Sequence, residues 1–300
     1  LVGSEMCIRD SEDTTPAGQV PLYPSTPTDA DFIHVIAKAK SLGMSVKLKI
    51  HVDLQNPAPG DWRGDIGQSF GASQWDAWFD SYTNIMVRYA QLAEEHNVET
   101  FTVGTELVNT VSRTNQWIDV INAIKNVYSG KLTYAANHGN ELNVKFWTYL
   151  DYIGLDAYYN LTGKVNPNLP ELLEAWVYPI TVMEALHNAN NIPVVLTEIG
   201  YLNADGNNMH PWCFAAAQNC TPPPDTPDPQ EQALLYEALF QMISGQEHVQ
   251  GVYVWNFQSL TGDSCSIDYN VYNKPAENVI RSWFGVAERA GIADTCASSP

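Results

Sequence analysis

The chain alternates short apolar segments with amphipathic ones from residue 28 onwards, and this alternation limits the folds open to it. Apolar runs rich in β-branched residues predict six strands, at 45–54, 98–107, 131–138, 151–159, 192–202 and 249–257. Apolar residues at helical spacing predict helices at 28–43, 73–97, 114–130, 170–190, 229–245 and 275–290, and a short helix near 141–150. We expect Pro179 to break or offset the helix at 170–190. Strands that alternate with helices form a parallel sheet with helical crossovers.

All six predicted strands end in polar residues. These ends read HVD, GTE, NH, DAYY, TE and WN. A (β/α)8 TIM barrel collects its functional residues at the carboxyl ends of all its strands. A doubly wound open sheet, the alternative architecture, needs polar ends only near its switch point. We therefore predict an α/β fold of the (β/α)8 TIM-barrel class.

The domain organisation follows from counting strands. Six strands are predicted where a barrel has eight, and two further strand–helix units need roughly 60 residues at the average spacing of such barrels. We expect strands three to eight in a catalytic domain at 28–290, with the first two strands missing and with 45–54 and 249–257 as the sheet edges. Residues 1–27 are expected to be a non-native or disordered segment, and residues 291–300 a tail.

Charge and composition restrict the partners. The chain has 34 acidic and 15 basic residues, for a formal net charge of −19, which repels nucleic acid and anionic membranes and suits a neutral partner. No apolar run approaches the roughly 20 residues that span a bilayer. Nine Trp and fifteen Tyr fit sugar binding, because a flat ring matches the apolar face of a pyranose. We expect a monomer, extracellular or periplasmic although no signal peptide is visible, that binds a polysaccharide or oligosaccharide but neither nucleic acid nor membrane.

Five cysteines are present, and none of them is in a CxxC pair. A zinc knuckle is therefore not expected, and we predict neither a metal nor another cofactor. A disulfide in the loops that hold Cys213, Cys220 and Cys265 fits a secreted enzyme, but the pairing stays open.

Two carboxylates carry the functional prediction. Glu106 and Glu198 each follow a Thr at the end of a predicted strand. Cleavage of an acetal needs a proton on the leaving oxygen and stabilisation of an oxocarbenium-like transition state, and two facing carboxyl groups supply both. Each Glu alone could instead be a polar strand end paired with Lys or Arg. Their occurrence on one barrel rim predicts a retaining glycoside hydrolase that acts by double displacement.

Other strand-end residues are candidates for substrate binding: His51, Asp53, Asn137, His138, Asp156, Tyr158, Trp255 and Asn256. Trp255 could stack under the sugar or fill the barrel mouth. Tyr158 could donate a hydrogen bond to Glu198 or merely pack. His51 and Asp53 fit a role in holding the site together.

Several runs resemble glycoside hydrolase family 113: KLKIHVDLQNPAPGDWRGDI, WFDSYTNIMVRYAQLAEEHNVETFTVGTEL, IGLDAYYNL and VVLTEIGY. The resemblance implies a clan A barrel with endo-β-1,4-mannanase activity, Glu106 as acid/base and Glu198 as nucleophile, and it adds Trp62 and Arg63 to the substrate-binding candidates. This sequence departs from the family in lacking the first two strands, in the VYVWNF run, and in a long Cys- and Pro-bearing loop at 203–230.

Alternative functions remain open at this point. Another clan A β-glycanase, a galactanase or a glucanase, would use the same two Glu. A metal-dependent hydrolase could use His51, Asp53, His138 and Asp156 as ligands, although such sites favour several converging His. A non-enzymatic carbohydrate-binding barrel or an inactive fragment would retain the fold without turnover.

Overall fold

The computed structural model describes residues 6–11, 27–54, 58, 60–214, 221, 225–257 and 265–292. Within these residues the strands are β1 Met6–Ser11, β2 Lys47–Asp53, β3 Thr100–Thr105, β4 Lys131–Asn137, β5 Tyr152–Asp156, β6 Val194–Ile199 and β7 Val249–Val254. The α-helices are α1 Asp29–Ser41, α2 Ala72–Glu95, α3 Thr114–Lys125, α4 Leu169–Asn190, α5 Pro229–Ile243 and α6 Pro275–Trp283. All six predicted strands and all six long helices are therefore confirmed, and the short helix predicted near 141–150 is two 3₁₀ turns, at Glu141–Asn143 and Trp147–Tyr149.

The strands form one sheet in the order in which they occur in the chain, from β1 to β7. β1 lies parallel to β2, with Ile8 opposite Ile50. The predictions that residues 45–54 form an edge and that the first residues fit no element were therefore wrong. Strand pairing uses backbone N–H and C=O groups, which almost any residue offers, so MCIRDS can extend a sheet without a clear apolar pattern. Residues 1–5 and 12–26 lie outside the described residues, and the division at 28–290 and 291–300 stays a prediction.

Side chains of β2 show that the sheet curls. In a flat sheet β2 and β5 would be about 14 Å apart, since neighbouring strands are separated by about 4.8 Å. Lys49 Nζ nevertheless lies 2.8 Å from Asp156 Oδ1 of β5. Lys47 Nζ donates to the Thr197 carbonyl of β6 at 2.9 Å and lies 3.6 Å from the ring centroid of Tyr253 in β7. Such contacts across the concave face are those of a barrel interior, as predicted.

Local sequence explains where two helices begin and why one continues. Thr28 caps α1 in a capping box with Asp31, and Asp228 caps α5, which has Pro229 in its first turn. The expected break at Pro179 was wrong, because α4 runs through it. Trp176, Ile180 and Met183 are buried at helical spacing, and their burial outweighs the one backbone hydrogen bond that proline removes.

The described residues fall into two compact units. Those within 1–157, 186–197 and 250–253 form the first unit, and those within 158–185, 198–249 and 254–300 form the second. Large aromatic residues fill the interior of each: Trp78 and Trp117 are fully buried in the first, and Trp176 and Tyr236 in the second. Among the described helices, none combines the length and the apolar character that a membrane crossing requires.

Candidate active site

Glu106 follows the last residue of β3, where the backbone is unusual. The register between β3 and β4 shifts between Thr102 and Thr105, and the Glu106 amide still donates to the Ala135 carbonyl at 2.8 Å. Four described non-glycine residues have a positive φ; three are Asn, which tolerates it, and the fourth is Glu106 at 54°. A left-handed Glu directly after a strand is a local strain of the kind that collects at functional sites.

Packing holds the end of β3 in this conformation. The Thr105 hydroxyl donates to the Ile50 carbonyl at 3.1 Å, and the Tyr134 hydroxyl accepts from the Leu107 amide at 3.0 Å. Gly104 lies so close to Trp117 and Tyr134 that a Cβ there would be 2.6 Å from the Trp117 ring. The Glu106 carboxylate is thus attached to a rigid turn.

Arg63 gathers the predicted polar residues of the first unit around Glu106. Its Nε donates to Asp53 Oδ1 at 2.7 Å, and its Nη1 lies within hydrogen-bonding distance of His51 Nδ1. The same Nη1 donates to Glu106 Oε2 at 3.4 Å. Because the guanidinium is planar and presents several donors in fixed directions, this arrangement orients three side chains.

Two further candidates, Asn137 and His138, lie at the end of β4, the strand next to β3. The Asn137 amide donates to the His138 carbonyl at 3.2 Å. Burial lowers the pKa of His138 to about 4. The imidazole is therefore neutral between pH 5 and 8 and can act there as a neutral hydrogen-bonding group.

Asp156 lies in the barrel interior, where it meets protein rather than solvent. Its carboxylate accepts from Lys49 Nζ at 2.8 and 2.9 Å and from the Thr197 hydroxyl at 2.8 Å. The side chains of Asp156 and Lys49 are both 0% exposed. Asp156, which was expected to bind substrate, is therefore bonded to the protein itself. Asp53 is likewise paired with Arg63, and the two pairings argue against the alternative of a metal-dependent hydrolase.

Glu198 belongs to the second unit and is the penultimate residue of β6. It is 5% exposed, and its Oε2 accepts a hydrogen bond from the Tyr158 hydroxyl at 2.9 Å. Of the two roles that the sequence left open for Tyr158, the hydrogen bond to Glu198 is therefore present. A hydroxyl that donates to a carboxylate stabilises the ionised form, which is the form that a nucleophile needs.

Trp255 and Asn256 pass close to the backbone that follows Glu198. The Trp255 amide donates to the Ile199 carbonyl at 2.7 Å, and a Cβ on Gly200 would lie 2.0 Å from the Trp255 carbonyl oxygen. The Trp255–Asn256 peptide bond is cis. Only glycine at position 200 permits this approach, so the sequence pattern TEIG has a structural reason here.

Trp62 is the most exposed of the candidates, at 39%. Its amide donates to Asp65 Oδ2 at 3.0 Å, and its ring packs over Gly64 so closely that a Cβ there would be 2.3 Å from a ring carbon.

Sequence reasoning missed Tyr269, whose ring contacts the Tyr158 ring edge-on at 6.1 Å between centroids. Nothing marked Tyr269 in the sequence, since it lies in a loop between β7 and α6.

Two loop cysteines, Cys213 and Cys265, are each disulfide-bonded, as the sequence led us to expect for this region. Cys220 and Cys296 lie outside the described residues.

Comparison with known proteins shows the family to which the chain belongs. Residues 10–274 match the model of Glycoside Hydrolase Family 113. A GH113 β-1,4-mannanase solved as a complex is 28% identical, with 94% of this chain and 87% of that one covered and a TM-score of 0.80. The GH113 β-mannanase AaManA from Alicyclobacillus acidocaldarius, in complex with ManMIm, is 26% identical over 95% and 87% of the two chains, with a TM-score of 0.81.

Solved structures with lower sequence identity to this chain share only its fold. A fungal β-1,4-galactanase is 13% identical, covers 89% of this chain with 83% of its own, and gives a TM-score of 0.56. No curated protein sequence matches the chain. Since the family model spans most of the sequence and the TIM-barrel structures of the family superpose on it, the chain belongs to glycoside hydrolase family 113 and is a glycoside hydrolase.

Proposed function

We propose that the chain is a retaining endo-β-1,4-mannanase in which Glu198 is the nucleophile and Glu106 the acid/base. The observation that carries this proposal is the hydrogen bond from Tyr158 to the nearly buried Glu198, which favours a carboxylate ready to attack. The mannan substrate is supported by the names of three family members that resemble this chain, two of them β-1,4-mannanases and one a β-mannanase.

The reaction proceeds in two displacements. In the first, the Glu106 carboxyl group gives its proton to the glycosidic oxygen while a Glu198 oxygen attacks the anomeric carbon, and the bond to the leaving sugar breaks. In the second, Glu106 takes a proton from water, the water oxygen attacks the anomeric carbon, and Glu198 leaves as a carboxylate. The configuration at the anomeric carbon is retained because it inverts twice.

Arg63 orients Glu106 for both steps, because its Nη1 lies 3.4 Å from Glu106 Oε2. Of the remaining candidates, we propose that His51, Asp53, Trp62, Asn137, His138, Trp255 and Asn256 bind or orient the sugar, whereas Asp156 supports the barrel interior.

The role assignment is tested with two substrates. Glu198→Gln should abolish turnover of both mannan and an aryl mannoside, because no nucleophile remains. Glu106→Gln should retain far more activity on the aryl mannoside, whose good leaving group needs no proton. Glu184→Gln, at an exposed position of α4, is the matched control and should behave as wild type. Equal losses on both substrates in the Glu106 variant would overturn the assignment.

Product analysis tests the substrate. Mannan, galactan, xylan and β-glucan should be compared under one condition, with products separated by length and by anomeric configuration. Mannan should be cleaved internally, with retained configuration in the first product. Cleavage of another glycan with mannan left intact would replace mannan in the proposal and leave the two-Glu mechanism standing.

We also propose an extracellular or periplasmic location and a monomeric state. The disulfide bonds of Cys213 and Cys265 support an oxidising compartment, because cytosolic thiols are kept reduced. Mild reduction should lower the thermal stability of the enzyme, and an unchanged unfolding temperature would count against this location.

A further inference from the structure

The loop that follows β6 is firmly attached to its own unit. The Glu231 carboxylate of α5 accepts from the Gly206 amide at 2.8 Å and from the Asn208 amide at 3.1 Å. Cys213, farther along the loop, is 2% exposed and disulfide-bonded. Side chains between these anchors are therefore held at fixed positions.

Trp212 lies in this anchored part and presents its ring to solvent. It is 37% exposed, and its Nε1 donates to the Asn160 side-chain oxygen at 3.1 Å. His210 contacts the ring edge-on, with 5.7 Å between centroids. Because the single polar atom of the indole is already bonded, the exposed surface is flat and apolar.

The bond to Asn160 brings this ring near the nucleophile. Asn160 follows Tyr158 by two residues, so their Cα atoms are within about 8 Å of each other. Tyr158 itself donates to Glu198. Trp212 is thus joined through one side-chain contact to the segment that holds the attacking carboxylate.

A second set of contacts makes the same connection. The Pro211 carbonyl, next to Trp212, accepts a hydrogen bond from the Tyr269 hydroxyl at 2.5 Å. The Tyr269 ring in turn contacts the ring of Tyr158. Two sets of contacts, which meet at Tyr158, therefore fix the position of Trp212 relative to Glu198 within the second unit.

We propose that the exposed face of Trp212 is an additional sugar-binding platform, which holds one unit of a neutral polysaccharide beyond the sugar attached to Glu198. The ring stacks on the apolar C–H face of that unit, and Asn160 sets the angle of the ring. This proposal rests on the proposed function, because the platform is placed beside its nucleophile. It assigns a binding function to the long loop in which this sequence departs from the family pattern.

The test measures kcat and KM for manno-oligosaccharides of increasing length. In Trp212→Ala, KM should rise roughly tenfold for chains long enough to reach the platform, the effect of losing one aromatic contact. The shortest cleavable substrate should be unaffected, and kcat should change little throughout. Trp212→Phe should retain most of the affinity, whereas Trp212→Leu, which keeps apolar volume but no flat ring, should lose it.

Trp283→Ala is the matched control. Trp283 is 38% exposed and its Nε1 donates to Glu237 Oε2 at 2.8 Å, so it resembles Trp212 in exposure and bonding. This control should show no dependence on substrate length. An unchanged KM in both Trp212→Ala and Trp212→Leu, or a change equal at all lengths, would overturn the platform while leaving the mannanase proposal intact. A wild-type enzyme that cleaves no polysaccharide would overturn both.

Discussion

Arg63 decides how the polar residues of the first unit are arranged. One guanidinium binds Asp53 and contacts both His51 and Glu106, and its side chain is only 14% exposed. A lysine has one compact ammonium and cannot hold three partners in these directions. The orientation of Glu106 therefore depends on a residue that comes ten positions after the end of β2.

Arg63→Lys should lower kcat/KM on mannan by roughly 10- to 100-fold, because hydrogen bonds to charged groups contribute about 1.5–3 kcal/mol. Steady-state kinetics would measure this loss. Arg88→Lys is the control, since Arg88 forms an exposed ion pair with Asp29 and should tolerate the change. Wild-type kinetics in the Arg63 variant would show that the cluster does not orient Glu106.

His138 links protonation to stability. Its pKa is lowered from 6.5 to about 4 by burial, so the unfolded chain binds a proton more readily than the folded one between these values. The free energy of unfolding is unaffected by this histidine above pH 6.5. It falls as the pH is lowered from 6.5 and has lost the full contribution once the pH has passed through 4. The loss amounts to up to about 3 kcal/mol.

Urea unfolding at pH 7, 6, 5 and 4 should therefore show a smaller decline in His138→Gln than in wild type. His34→Gln, at an exposed position of α1, should leave the decline unchanged. The histidine contribution would be absent if the His138 variant and wild type lost stability in parallel.

Residue positions at strand ends could be predicted from sequence, but their partners could not. Glu106 and Glu198 could be selected from the sequence because each lies at the end of a strand, whereas the hydrogen bond from Tyr158 to Glu198 was one of two roles left open for Tyr158. The interior pair of Lys49 and Asp156 was missed, although alternation in KLKIHVD places Lys47, Lys49 and His51 on one face of β2. Such charges are expected to face solvent, and only the curl of the sheet brings a carboxylate from β5 to meet them.

At the level of elements, β6 and the segment after β7 approach so closely that their backbones nearly touch. Gly200 is the contact point, where the nearest atom to a Cβ would be the Trp255 carbonyl oxygen at 2.0 Å. Backbone cannot move aside as a flexible side chain can, so a methyl group there must displace the segment that bears Trp255.

Gly200→Ala should lower the free energy of unfolding by roughly 1–3 kcal/mol. It should also reduce activity, because Glu198 is two residues away. Urea unfolding and kinetics together would measure both effects. Gly163→Ala is the control, since no atom lies within 4 Å of the added Cβ. Equal stability of the two variants would contradict the close approach.

Elements were predictable where their apolar pattern was clear, and not where charges interrupted it. The helices and six of the strands have such a pattern, but in β1 the six residues MCIRDS include Arg9 and Asp10. Its pairing with β2 depends on backbone hydrogen bonds that carry no sequence signal. At Pro179 the sequence signal was wrong. Proline usually breaks a helix, but burial of one helix face keeps α4 continuous through this residue.

On the scale of the whole molecule, the interior of the sheet is held by charge as well as by apolar packing. Lys49 and Asp156 join strands that are three positions apart in the sheet, and Thr197 extends the connection to β6. Removing water from two charges is unfavourable, so a buried pair stabilises the fold only when both partners are present.

Lys49→Met should therefore destabilise the protein by about 3–5 kcal/mol, because the buried carboxylate of Asp156 would lose the cation with which it is paired. The double variant Lys49→Met, Asp156→Leu removes both charges and should recover most of that loss. Urea unfolding of wild type, the two single variants and the double variant closes a double-mutant cycle, and the coupling between the two positions should exceed about 2 kcal/mol. Lys131 forms an exposed pair with Asp151, so Lys131→Met should change stability by less than about 1 kcal/mol and serves as the control. Additive losses in the cycle would mean that the two side chains act separately, and the interior ion pair would then not hold the curled sheet together.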